Sequence, residues 1–185
     1  MTLPQIGAFE ILPALEHLDM VPARVATALR EWADADPRVP AGVGVTAVDP
    51  ADSDTATLVG KFALSWDTAA NCVLVAGKRQ GQERVAAALV RADTKADVNG
   101  AIRRLLDVRK ASFLPTEQAV DASGMEYGGI TPVGVPATWR ILIDERLTRG
   151  GDVLIGAGVR SAKLAVPGEL LVSLPRAELI PDLGR

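Results

Sequence analysis

Two apolar runs stand close together near the middle of the chain, Asn71-Cys72-Val73-Leu74-Val75-Ala76 and the stretch from Arg84 to Arg91, with a polar segment, Gly77–Gln82, between them. Uninterrupted runs of this length, bounded by turn residues, fit strands buried in the centre of a sheet. The polar segment between them predicts a hairpin. That hairpin is the frame that the rest of the chain must fit around.

Helices and strands then follow on either side. Val21, Val25, Leu29 and Trp32 recur on one face of a helix that Pro22 opens and Asp34–Pro37 ends. Phe9–Leu12 reads as a short strand in an extended arm, and Val43–Val48 as a longer one. Ser53-Asp54-Thr55 caps a second helix that buries Leu58, Val59 and Phe62. Asp97 to Asp107 is a third helix with Val98, Ile102, Leu105 and Leu106 inward. Ser112–Leu114 is a short strand, and Pro115 starts a helix that Gly124 stops as a C-terminal cap. Ile141–Asp144, Val153–Ile155 and Ala177–Ile180 are strands, and Gly168–Leu174 a short helix. Some strands are joined by hairpins and others by helices, which predicts an α/β fold with a mixed, curved, barrel-like sheet surrounded by short helices.

With 185 residues, no repeat and no linker, residues 1–185 read as a single domain, with residues 1–40 as an N-terminal arm and helix. A net charge of −3 does not announce a general nucleic-acid binder, so any RNA contact must be local, and DNA is not expected. The single cysteine excludes an internal disulfide. No signal sequence and no long apolar run are present, so a cytoplasmic protein without a membrane partner is expected.

The chemistry-bearing residues are few. A Ser-His-Asp set, a P-loop, a dinucleotide fingerprint and a metal cluster are all missing, so neither metal nor cofactor is expected. His17 is alone and fits a surface or packing role. Cys72 has no base beside it and reads as a core residue. Asp52 and Asp54 could do acid–base work, but a helix N-terminus favours negative charge in any case. What remains is a glycine- and proline-rich loop, Gly128-Gly129-Ile130-Thr131-Pro132-Val133-Gly134-Val135-Pro136, and a second turn, Gly156-Ala157-Gly158. Paired glycines let a backbone approach a ligand closely, and successive amides can form an anion or carbonyl site. Arg103, Arg104, Arg109 and Lys110 either complement a helix C-terminus or meet phosphate. Lys163 is a candidate pocket or phosphate cation. Glu126 and Tyr127 either read substrate or anchor the loop.

The pattern Arg109-Lys110-Ala111-Ser112-Phe113, a short helix, Gly124-Met125-Glu126-Tyr127 and then Gly-Gly-Ile-Thr-Pro-Val-Gly resembles the YbaK/prolyl-tRNA synthetase-associated domain family of aminoacyl-tRNA editing domains, over roughly residues 43–180. The resemblance implies the same α/β architecture and a stand-alone deacylase that hydrolyses mischarged aminoacyl-tRNA in trans. Its partners would be the aminoacylated tRNA 3′ end and an aminoacyl-tRNA synthetase. Gly128, Gly129, Ile130, Thr131 and Pro132 would form one wall of the pocket and Gly156, Ala157 and Gly158 the opposite wall. Gly129 and Thr131 would join Asn71 in the chemistry, while Arg103, Arg104, Lys110 and Lys163 would hold tRNA. A lysine often lines the pocket in that family where this chain has Asn71. An amide carries no charge for an oxyanion. A degenerate member that only binds an amino acid, nucleotide or tRNA end is therefore the alternative.

Overall fold

Along the central hairpin, successive side chains point to opposite faces of the sheet, and both faces are apolar, so the chain builds two cores. In this computed structural model, which describes residues 1–185, the strands are β1 (Leu12–Pro13), β2 (Gly44–Ala47), β3 (Ala70–Arg79), β4 (Gln82–Arg91), β5 (Ala111–Phe113), β6 (Arg140–Asp144), β7 (Asp152–Gly156), β8 (Ala162–Pro167) and β9 (Ala177–Ile180). One sheet runs β5-β3-β4-β6-β9 and the other β1-β2-β8-β7. The helices are α1 (Ala23–Ala35), α2 (Val39–Gly42), α3 (Thr55–Lys61), α4 (Arg103–Leu105) and α5 (Thr116–Ser123). None of them is long and apolar enough to cross a membrane.

Leu74, Ala76, Ala87, Leu89, Ile141 and Ile143 face the larger core, where they meet Val45, Ile155, Leu164 and Val166 of the other sheet and Val25, Leu29 and Trp32 of α1. The alternate residues Val75, Ala86, Ala88, Val90 and Leu142 face the smaller core, which Ile102, Leu106 and Val108 cover. β3 and β4 pair antiparallel through ten residues each, while β4–β6 and β6–β9 pair parallel, which makes the five-stranded sheet mixed as expected.

Several local expectations change. The polar turn is only Gln80 and Gly81, with φ of 50° and 81°. Both lie in the left-handed region that a two-residue hairpin turn of type I′ requires. Gly77 belongs to β3 instead, because β5 passes so close that a Cβ there would meet the Lys110 carbonyl oxygen at 2.5 Å. The helix expected from Asp97 opens with a π-helical turn, Val98–Ile102. The Asp97 carboxylate accepts the N–H groups of Gly100 (3.0 Å) and Ala101 (2.8 Å) and so caps that first turn. The arm pairs only through Leu12 and Pro13.

β8 was not foreseen. Lys163 and Pro167 interrupt its apolar pattern, yet it is the inner strand between β2 and β7. The barrel-like closure is corrected as well. The sheets pack face to face through the larger core, but a single parallel bridge, Ala69 to Leu154, is the one strand pairing between them, and no closed sheet forms. β5 covers β3 only at Val75, Ala76 and Gly77, so the first part of β3 keeps a free edge beside the gap between the sheets.

Candidate active site

That gap holds a cavity of about 590 Å³, within the size range of small-molecule sites. The first half of β3 forms its floor, α3's cap one side, and Phe113, Leu114 and Ala119 another. Gly128, Ile130, Gly156, Arg160 and Lys163 close it.

The two glycine turns do not face each other across this cavity. They stack backbone on backbone. The Gly158 N–H donates to the Gly129 carbonyl at 2.7 Å, and the Glu126 N–H to the Gly158 carbonyl at 2.9 Å. A Cβ on Gly156 would collide with the carbonyl oxygens of Gly129 and Ile130, and one on Gly129 with the backbone of Val159. The glycines therefore serve close approach of one turn to the other, and together they make a single wall. Of the expected wall residues, Gly128, Ile130 and Gly156 line the cavity; Gly129, Thr131, Pro132, Ala157 and Gly158 do not. Thr131 is fully buried, and its hydroxyl accepts the Val133 N–H at 3.4 Å. Gly158 (φ 88°) packs against Pro22 and Val25 of α1.

The opposite wall comes from the Ser53-Asp54-Thr55 cap and from β3. Asp54 caps α3 by accepting the Thr57 N–H at 3.1 Å, and Asp52 pairs with Lys61, so a cap and an ion pair account for the two carboxylates. Thr55 donates its hydroxyl to the Asn71 side-chain oxygen at 2.6 Å. Ser53 is 1% exposed, and its hydroxyl has no hydrogen-bond partner. A buried hydroxyl left without a partner costs free energy. Cys72 also lines the cavity, but burial pushes its thiol up to about 12, which keeps it protonated and unreactive. His17 stands between two short 3-10 turns, Ala14–Glu16 and Leu18–Met20, away from the cavity.

Lys163 is the cation inside. It sits on β8 opposite Gly156 of β7, is 6% exposed, and donates weakly to the Gly128 carbonyl at 3.4 Å. Burial, with the nearby charge of Arg160, lowers its pKa to about 8, while Asp54 acts the other way. The grouping of Lys163 with the outer cations is thus undone by the fold. Arg103 donates to the Asn99 carbonyl at 2.8 Å. It stands with Arg104 on α4, on the far face of the five-stranded sheet, and Lys110 is exposed outside the cavity.

Three contributors were missed in the sequence, Phe113, Ser53 and Arg160; Tyr127, expected either to read substrate or to anchor the loop, joins Phe113 at the cavity's edge, where the two are exposed by 62% and 59%. Arg160 ties the rim together. Its backbone N–H donates to the Glu126 carboxylate at 2.6 Å and its guanidinium to the Pro50 carbonyl at 2.6 Å. Glu126 thus anchors the loop. A signal for the aromatics existed, since two of only four Phe and Tyr residues flank the segments already singled out.

Comparison with known proteins places the chain in a family and shows the fold in solved structures. Residues 50–174, more than half of the chain, match the aminoacyl-tRNA editing domain family, and the chain belongs to that family. Among solved structures, the hypothetical protein APE2540 superposes with a TM-score of 0.71 at 18% identity, covering 85% of this chain and 99% of its own. A structure described as a candidate trans-editing enzyme for prolyl tRNA synthetase gives 0.67 at 18% identity, covering 85% and 97%. At such identities the likeness concerns the fold. No curated protein matches in sequence.

Proposed function

We propose that this protein is a stand-alone deacylase that hydrolyses mischarged aminoacyl-tRNA in trans, in the cytoplasm, with the tRNA 3′ end as substrate and a synthetase as its functional partner. The observation that carries the reading is the cavity's inventory. It offers an amide (Asn71), a hydroxyl (Ser53), an ammonium (Lys163) and close backbone at Gly128 and Gly156, but no activated nucleophile. Such a site orients a bond that is already labile, and an aminoacyl ester is one. The solved structure described as a candidate trans-editing enzyme for prolyl tRNA synthetase supports the trans-acting form.

In this reading the backbone at Gly128 and Ile130 and the Asn71 amide hold the ribose and the aminoacyl group, and Phe113 and Tyr127 stack on the terminal bases. The reaction is proposed as metal-independent. The test is release of amino acid from tRNAs charged with alanine, serine, cysteine, proline and threonine, with a chelator present. Release from one or two identifies the substrate. Silence on all of them, at protein concentrations that saturate tRNA binding, overturns the reading.

A second reading, a protein that binds a tRNA end, nucleotide or amino acid without hydrolysis, is favoured by the uncharged Asn71. It predicts that silence together with undiminished binding.

A further inference from the structure

Asn71 leaves the floor of the cavity without a charge, yet a charge is present, delivered from another strand. Lys163 projects from β8 of the four-stranded sheet, whereas Asn71 stands on β3 of the five-stranded sheet, and both line the same cavity. The open gap between the sheets brings them to one space.

The lysine is poorly satisfied where it stands. An ammonium has three donors to place. The only hydrogen bond of Lys163 is the long one to the Gly128 carbonyl, at 3.4 Å. Nor does it make an ion pair, although every other buried charged side chain does: Asp36 with Arg38 at 2.6 Å and Asp144 with Arg146 at 2.7 Å. The charged groups facing it are Asp54 on the α3 cap and Arg160 after β7, and Asp54 is occupied with capping. A buried ammonium without a carboxylate is destabilising in the absence of a ligand. In the same cavity, the Ser53 hydroxyl is 1% exposed and has no hydrogen-bond partner. Two buried polar groups with unfilled hydrogen bonds in one cavity indicate an oxygen-rich ligand placed between them.

We infer that Lys163 is the ammonium that receives the carbonyl oxygen of the bound aminoacyl ester, a role supplied here from β8 in place of the uncharged β3 position Asn71. The inference rests on the deacylase reading and assigns the polarising group within it. In the reaction a water oxygen bonds to the ester carbonyl carbon, and the π pair moves onto the carbonyl oxygen. Its return breaks the carbon–oxygen bond to the ribose. The water's proton passes to the departing ribose oxygen, leaving a free amino acid and a free ribose hydroxyl. Lys163 keeps its proton throughout and balances the negative charge while that charge exists. The lysine is therefore active in its protonated form, and its pKa of about 8 places the loss of that form within an accessible pH range.

Three readouts test this. First, Lys163→Met lowers kcat for deacylation by about 100-fold or more while KM moves by less than about threefold. Its melting temperature stays level or rises, because a buried unpaired charge is gone, so loss of folding cannot account for the loss of rate. Adding Asn71→Lys to that variant returns at least about tenfold of the rate, since the ammonium re-enters from the other strand. Second, after the uncatalysed rate is subtracted, wild-type kcat falls as pH rises through about 8. A rate that climbs through that pH would make the lysine a neutral base, and a Lys163→Met enzyme within about threefold of wild type would remove it from the chemistry; either result overturns the inference. Third, the side-chain nitrogen NMR signal of Lys163 shifts when a non-hydrolysable, amide-linked aminoacyl-adenosine is bound. A bound analogue that leaves the signal unmoved refutes the Lys163 assignment. An inert wild type whose Lys163 signal does shift refutes the deacylase reading alone.

Discussion

Thr55 donates its hydroxyl to the Asn71 side-chain oxygen at 2.6 Å, which leaves the NH2 group of that amide free to donate in the cavity that Asn71 lines. Thr55→Val keeps the shape and removes the restraint. The expected outcome is a rise in KM for the charged tRNA of about fivefold, the equivalent of one hydrogen bond worth ~1 kcal/mol. kcat should change less. Steady-state kinetics with a thermal melt checks it, and an unchanged KM would mean that the amide orientation does not matter.

Gly156→Ala tests the stacking of the two glycine turns. A methyl group at this position has only carbonyl oxygens of Gly129 and Ile130 to displace, and backbone cannot swing aside as a side chain can. Overpacking of this kind costs ~1–3 kcal/mol. Urea unfolding should show that loss together with a drop in turnover, because the wall carrying Gly128 has to move. A variant as stable as wild type would contradict the observed packing.

Phe113→Ala and Tyr127→Ala separate binding from stability. Both side chains are mostly exposed, so each variant should unfold within ~0.5 kcal/mol of wild type. If the rings stack on the terminal bases, each loss weakens binding of an acceptor-end RNA oligonucleotide by ~1–3 kcal/mol. Fluorescence anisotropy reads this directly. Unchanged affinity in both variants would assign the rings no part in RNA binding.

Asp144 gives the fold an acid-sensitive tie. It is fully buried at the end of β6, paired with Arg146 at 2.7 Å, and accepts the Gly184 N–H at 2.8 Å. Burial pushes its carboxyl up, but the Arg146 side chain and the backbone N–H groups of Arg146 and Gly184 outweigh burial and hold it below the usual carboxylate value. The folded pKa is thus depressed. The stability it contributes is present above the unfolded carboxylate value and is lost as pH falls through the folded one. Asp144→Asn should destabilise the protein by ~2 kcal/mol at neutral pH and flatten the acid side of a stability-against-pH curve. An unchanged acid limb would place the sensitivity elsewhere.

Much of the fold was legible locally. The β3–β4 hairpin, α1 with its Val25-Leu29-Trp32 stripe, the Asp54 cap and the Gly124 stop, where φ is 62°, each depend on residues close in sequence. Apolar spacing and capping chemistry act over a few residues, so sequence alone reveals them. β8 was illegible for the complementary reason. Lys163 and Pro167 break its pattern, and only its place between β2 and β7 makes it a strand.

The site divides in the same way. Sequence determined that two glycine turns would matter, that Ser53-Asp54-Thr55 would start a helix, and that no nucleophile was available. Only the tertiary structure decided that the turns stack into one wall, that Ser53 and Thr55 face a cavity, and that Lys163 enters it while Arg103 and Arg104 are left on the far face of the sheet. Those outcomes follow from how two open sheets meet at Ala69 and Leu154. That contact joins residues far apart in the chain, and no local preference of either residue specifies it.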